Sequence, residues 1–119
     1  CKNGEIILWG DGSEERDLLY VSDLVDFVKL VIKKQNDPFC LVNIGYGSSI
    51  SITNLTNTMI KTANKDIRIA YDKSKPSIKV KLSLDCTKAK HLFGWEPKVS
   101  LKTGIQKTID WYKSNTLIA

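Results

Sequence analysis

LWGDGSEERDLLYVSD, residues Leu8 to Asp23, is the stretch on which the fold turns. It opens on the end of an apolar run, Glu5 to Trp9, that reads as a short strand. Gly10-Asp11-Gly12 follows as a turn built on glycine's freedom at positive φ. Residues 16–21 then alternate: Arg16, Leu18 and Tyr20 fall on one face, Asp17, Leu19 and Val21 on the other. Ser22 or Asp23 is placed to cap a helix by accepting the free N–H groups of its first turn. That helix is expected to reach about Lys34. Leu24, Phe27, Val28 and Val31 form its stripe and Val25 and Ile32 widen it, so it should be substantially buried. The turn therefore has Trp9 on one flank and Arg16 on the other.

The pattern continues beyond this stretch. Asn36-Asp37-Pro38 ends the helix, because proline lacks the N–H and restricts its predecessor. Residues 39–44 (FCLVNI) read as an inner strand running into Gly45 and Gly47. Ser51 caps a second helix, Ile52 to about Ala63, with Leu55, Met59 and Ile60 inward. Residues 67–71 and 79–84 alternate as strands. A short helix, about 87–93, stops at Gly94, and Ser100 caps a last helix over 101–114 with Leu101, Ile105, Ile109 and Tyr112 as its stripe. Short strands alternating with about four helices predict an α/β chain, or α+β if it stands isolated.

The totals bound the class. At 119 residues, 42% hydrophobic and 26% charged, the composition is that of one globular domain. No apolar run approaches the roughly 20 residues a membrane crossing needs. The chain begins at Cys1 rather than Met, and it is expected to be a portion of a longer protein. Three cysteines, Cys1, Cys40 and Cys86, without C-x-x-C spacing fit free thiols in a reducing compartment such as the cytoplasm. Net charge is +5, and the densest basic stretch, DKSKPSIKVK (72–81), holds four lysines and no aromatic partner. A solvated face, a polyanion and a phosphate-bearing small molecule all fit such a stretch.

Candidate chemistry is sparse. Gly45-x-Gly47 after an apolar run has the layout of a dinucleotide turn, but position 50 is Ile and no acidic residue follows where a ribose would need it. His91 is the single histidine and lies near no metal-spaced ligand, so neither a Ser-His-Asp nor a Cys-His set can be assembled. No metal site and no catalytic constellation is expected in this chain. What it offers is anion chemistry. Arg16 has a planar fork suited to a diphosphate. Trp9 presents a flat face for a base or sugar ring, and Lys75, in a Lys-Pro turn, and Lys81 add point charges.

Taken together, WGDGSEERDLLYVSDLVDFV, LVNIGYGSSISITNL and AYDKSKPSIKVKLSLDCTKAKHLFGWEPKVSLKTGIQKTIDWY resemble the C-terminal part of the NAD(P)-dependent nucleotide-sugar epimerases and dehydratases. These are extended short-chain dehydrogenases/reductases. The blocks occur in the family's order over about residues 3–114. Within the family, YDKSKP is similar to the GDP-L-fucose synthase branch. The resemblance implies that Trp9 and Arg16 line a nucleotide-sugar site, with Arg16 on the diphosphate, and that Lys75 also meets substrate. Lys81 stands where the family usually has arginine and keeps the charge without the fork. The Gly45-Tyr46-Gly47 turn would then be a return strand of the fold and not the cofactor fingerprint, with no cofactor-binding residue in this chain.

It further implies that the whole of residues 1–119 is a substrate-binding segment. The N-terminal Rossmann domain, the NADP or NAD it binds and the catalytic Ser/Thr-Tyr-Lys set would lie outside it. Tyr71-x-x-x-Lys75 spells Y-x-x-x-K but straddles a strand end and a proline turn, and is read as coincidence. The segment alone is expected to be inactive, to expose apolar surface that the N-terminal domain covers, and to belong to a homodimer when full-length. Other readings stay open: a 4-epimerase or 4,6-dehydratase of the same family, a degenerate structural subunit, or a basic nucleic-acid-binding module.

Overall fold

The computed structural model of the chain describes residues 4–116; Cys1 lies outside them. The element order is β1 (Glu5–Trp9), β2 (Glu15–Asp17), α1 (Val21–Lys34), β3 (Ser49–Ser51), α2 (Ile52–Ala63), β4 (Arg68–Asp72), α3 (Thr87–Phe93) and α4 (Leu101–Thr116). This is the mixed α/β class expected, with four helices among the described residues. β1 and β4 pair in parallel, from Glu5 opposite Arg68 to Trp9 opposite Asp72. β2 and β3 pair antiparallel, with Arg16 opposite Ile50.

The helices end where local chemistry says they should. Ser51 Oγ accepts the Asn54 N–H at 3.2 Å at the start of α2, and Ser100 Oγ accepts that of Thr103 at 3.2 Å at the start of α4. Gly94 closes α3 in the left-handed region at φ 67°, where a side chain would be strained. None of the described helices is long and apolar enough to cross a membrane.

The core is small. Phe27 of α1 meets Phe93 and Trp95 edge-on, with centroids 5.6 and 5.3 Å away, and Ala89 completes the cluster. Asp23 is 3% exposed beside it. Its carboxylate accepts the backbone N–H groups of Lys98 and Val99 at 3.0 and 2.9 Å, and its carbonyl accepts the Trp95 indole N–H at 3.2 Å. The loop between α3 and α4 is thereby tied to the first turn of α1.

Several expectations need correction. The extended run after the glycine turn stops at Asp17, since residues 18–20 leave the ladder. α1 starts at Val21 with Tyr20 as its cap residue, so neither Ser22 nor Asp23 caps it; Asp23 is spent on the Lys98–Val99 loop. Its stripe is not substantially buried: Phe27 is, while Val21, Leu24, Val25, Val28 and Ile32 share an exposed face, Ile32 at 77%. Residues 39–44 form no strand. Val42 and Ile44 pack on the core, yet Phe39 is 79% exposed and no described strand offers a ladder. Residues 79–84 contribute only a bridge between Lys81 and Glu15. Met59 of α2 and Tyr112 of α4, both expected inward, are exposed.

Candidate functional site

β1 and β4 run parallel and end together at Trp9 and Asp72. The carboxyl edge of parallel strands is where α/β proteins commonly hold ligands, because the loops leaving it converge there. The chain leaves β1 through Gly10 at φ 77° and Gly12 at φ 69°. Both glycines are required sterically as well. A Cβ on Gly10 would sit 2.5 Å from Ser77 Cβ, and one on Gly12 2.3 Å from Thr53 Oγ1. The turn is thus clamped between the 72–81 segment and α2, and the Gly10 N–H donates to the Asp72 carbonyl at 2.8 Å.

Asp72 shapes the second loop. Its Oδ1 accepts from Ser74 N–H and Oγ at 3.0 and 2.6 Å, folding the chain back after β4. That bend brings Lys75 Nζ to 6.0 Å from the centroid of the Trp9 ring, within cation–π range. Trp9 is 63% exposed, so an apolar face and an amine stand together at the open edge of the sheet. Among the described residues no carboxylate pairs with Lys75. Tyr71 lies in β4, its hydroxyl 3.3 Å from Thr53 Oγ1, and Lys75 in the turn beyond; they share no helix.

Arg16 lies on β2, and Lys81 lies on the segment that bridges to the preceding strand residue, Glu15. Arg16 Nη2 is 3.6 Å from Glu14 Oε2. Glu15 donates its N–H to the Val80 carbonyl at 2.8 Å and accepts from the Leu82 N–H at 3.2 Å. Lys81 Nζ is 3.3 Å from Glu15 Oε2, which also accepts from Ser49 Oγ. The Ser49 hydroxyl, then Lys81, hold the Glu15 carboxyl below the usual carboxylate range. One turn back, two bonds from Ser13 and the Lys79 amine at 3.1 Å lower that of Asp11. The 72–81 segment carries both lysines, running from Lys75 beside Trp9 to Lys81 beside Glu15.

Pattern reading missed Asp17. Its carboxylate accepts the N–H groups of Tyr46 at 2.6 Å, Gly47 at 3.0 Å and Leu84 at 3.1 Å. Gly45 is packed so close that a Cβ would sit 2.9 Å from Asp17 Oδ2. The tempting Gly45-x-Gly47 turn therefore holds an anion already, and it leads into β3 rather than directly into a helix. It does not fit the pyrophosphate of a nicotinamide cofactor. The signal for Asp17 was the unused acid beside Arg16 together with a glycine turn lacking its third glycine. His91 is exposed on α3. Cys86 lies near the carbonyls of Gly45 and Leu84, and burial pushes its thiol pKa up; it and Cys40 are free.

Comparison with known proteins adds to this geometry. The profile of the family described as GDP-mannose 4,6 dehydratase matches residues 1–108. A probable GDP-L-fucose synthase from Oryza sativa is 33% identical over 97% of this chain, which covers 34% of that protein. The solved UDP-glucose 4-epimerase of Thermotoga maritima with UDP-glucose superposes with a TM-score of 0.83 at 33% identity, over 94% of this chain and 36% of that one. A dTDP-glucose 4,6-dehydratase from Bacillus anthracis in complex with NAD gives 0.78 at 27% identity, over 96% and 36%. The chain spans about a third of the length of the relatives it matches.

Proposed function

The chain belongs to the nucleotide-sugar epimerase and dehydratase family, and from that premise we propose that it is the C-terminal, substrate-gripping portion of an NAD(P)-dependent epimerase/reductase of the GDP-L-fucose synthase kind. The observation that carries this reading is the Trp9–Lys75 pair at the carboxyl edge of β1 and β4. The Trp9 ring is a platform for a base or sugar, since a flat apolar face binds rings with little ordering cost. Lys75 supplies charge to phosphate oxygens. Arg16, with its planar fork, takes the diphosphate, which it can grip at two oxygens at once. Lys81, whose amine is tied to Glu15, is the further cation of this reading.

No redox or proton-transfer step is assigned to this chain. The cofactor chemistry, the catalytic Ser/Thr-Tyr-Lys set and the second subunit of a homodimer belong to the full-length protein under this reading. The unpartnered face of α1 is where the remainder of that protein packs. A basic nucleic-acid module fits less well. Lys79, Lys81 and Lys90 are each paired with an acid, at Asp11, Glu15 and Glu96, which breaks up any continuous positive stripe.

The test is calorimetric titration of the chain with GDP and with guanosine, alongside incubation with NADPH and a GDP-sugar. GDP should bind more tightly than guanosine. Arg16→Ala should cost about tenfold or more in GDP affinity, the scale of one charge-assisted contact, and Lys75→Ala a smaller factor. Turnover by the chain alone should be absent. Measurable turnover, or GDP affinity indifferent to Arg16, would overturn the proposal.

A further inference from the structure

The acid next to Arg16 occupies a position out of proportion to its place in a three-residue strand. The 80–82 segment runs beside β2 with a parallel pattern, through the two backbone bonds of Glu15. Continued by one step, that pattern would send the Leu84 N–H to the Asp17 backbone carbonyl. It goes instead to Asp17 Oδ2 at 3.1 Å. From the other side the same carboxylate accepts the N–H groups of Tyr46 and Gly47. Successive backbone N–H groups converging on one anion form a nest, and bonds to an ionised acceptor are roughly twice as strong as neutral ones. Gly47 reaches its φ of 80° without strain, and Gly45 leaves the carboxylate its room.

We infer that Asp17 is a positioning residue for Arg16: its carboxylate, filling the nest of Tyr46, Gly47 and Leu84, fixes β2 against two separate segments and so fixes the direction in which Arg16 leaves the strand. The inference rests on the reading of Arg16 as the diphosphate ligand. It also gives the glycine turn its role. The turn binds an anion, but one supplied by the chain itself, so no phosphate of substrate or cofactor is required there. Tyr46, Gly47 and Leu84, the three donors to the carboxylate, all border one cavity of about 500 Å³.

A double-mutant cycle on the chain tests this, with GDP and guanosine affinities read for wild type, Asp17→Asn, Arg16→Ala and the double variant. Asp17→Asn should lower GDP affinity about tenfold, equivalent to one charge-assisted bond. It should leave guanosine affinity unchanged and cost nothing further once Arg16 is gone. An equal loss in both backgrounds, or no loss, would make Asp17 merely structural and sink the inference while the proposed function stood. A wild-type chain that binds GDP no better than guanosine would remove both. Should Asp17→Asn fail to fold, Gly45→Ala crowds the carboxylate without deleting it, and the same non-additivity with Arg16 is required of it. In Asp17→Ala, formate should restore GDP affinity and formamide should not; equal effects would contradict the nest.

Discussion

Asp17 and Asp23 lie six residues apart, and each spends its carboxylate on backbone far away in sequence. From spacing alone Asp23 is a helix cap and Asp17 an unremarked neighbour of Arg16. Neither true partner has a local signature, because a carboxylate meeting N–H groups some 30 to 76 positions away leaves no period to read. The glycines were more legible, since a Gly-Asp-Gly run states its need for positive φ directly. Asp23 should matter most for stability. Asp23→Ala strips the Lys98 and Val99 N–H groups of their shared acceptor in a partly buried joint. We expect a loss of about 2–4 kcal/mol, from two charge-assisted bonds and the desolvated donors left behind. Urea denaturation reads it; a change below about 1 kcal/mol would mean that the loop holds without it.

Helices and strands were legible to different degrees for a physical reason. A helix closes its hydrogen bonds within itself, so the 3.6-residue period, Ser51, Ser100 and Gly94 sufficed to place α2, α3 and the start of α4. A strand needs a neighbour. The apolar run 39–44 and the alternating run 79–84 have strand-like sequences, but the described residues offer them no full ladder. α1 makes the same point with side chains. One flank, around Phe27, is met by Phe93 and Trp95, and the other carries Val21, Leu24, Val25, Val28 and Ile32 exposed. Such a face favours association in the isolated chain. Ile32→Glu should reduce concentration-dependent association in sedimentation velocity while shifting the unfolding midpoint little, within about 0.5 kcal/mol for an exposed site. Association unchanged by this substitution would place the contact elsewhere.

The molecule as a whole is flat, 54 × 38 × 21 Å, with a radius of gyration of 17.4 Å. A compact domain of this length would be nearer about 13.5 Å. Among the described residues only four form the buried hydrophobic core, and a thin slab leaves much of its apolar surface open. That shape is invisible to composition, which reads as one ordinary globular domain. The candidate site was legible in a different sense. Trp9, Arg16, Lys75 and Lys81 were each indistinguishable from surface residues on their own, and only the ordered blocks around them singled them out. Their geometry brings Trp9 and Lys75 together, sets Arg16 on β2 beside Glu14, and ties Lys81 to Glu15.

The central claim, that this chain grips a nucleotide-sugar, is tested most directly by titrating it calorimetrically with a GDP-sugar at low and moderate salt, beside a single-stranded RNA. The account predicts saturable one-to-one binding of the GDP-sugar that falls modestly with salt and is weakened about tenfold or more in Arg16→Ala. Absence of saturable GDP-sugar binding, with RNA bound instead in a steeply salt-dependent way, would contradict it.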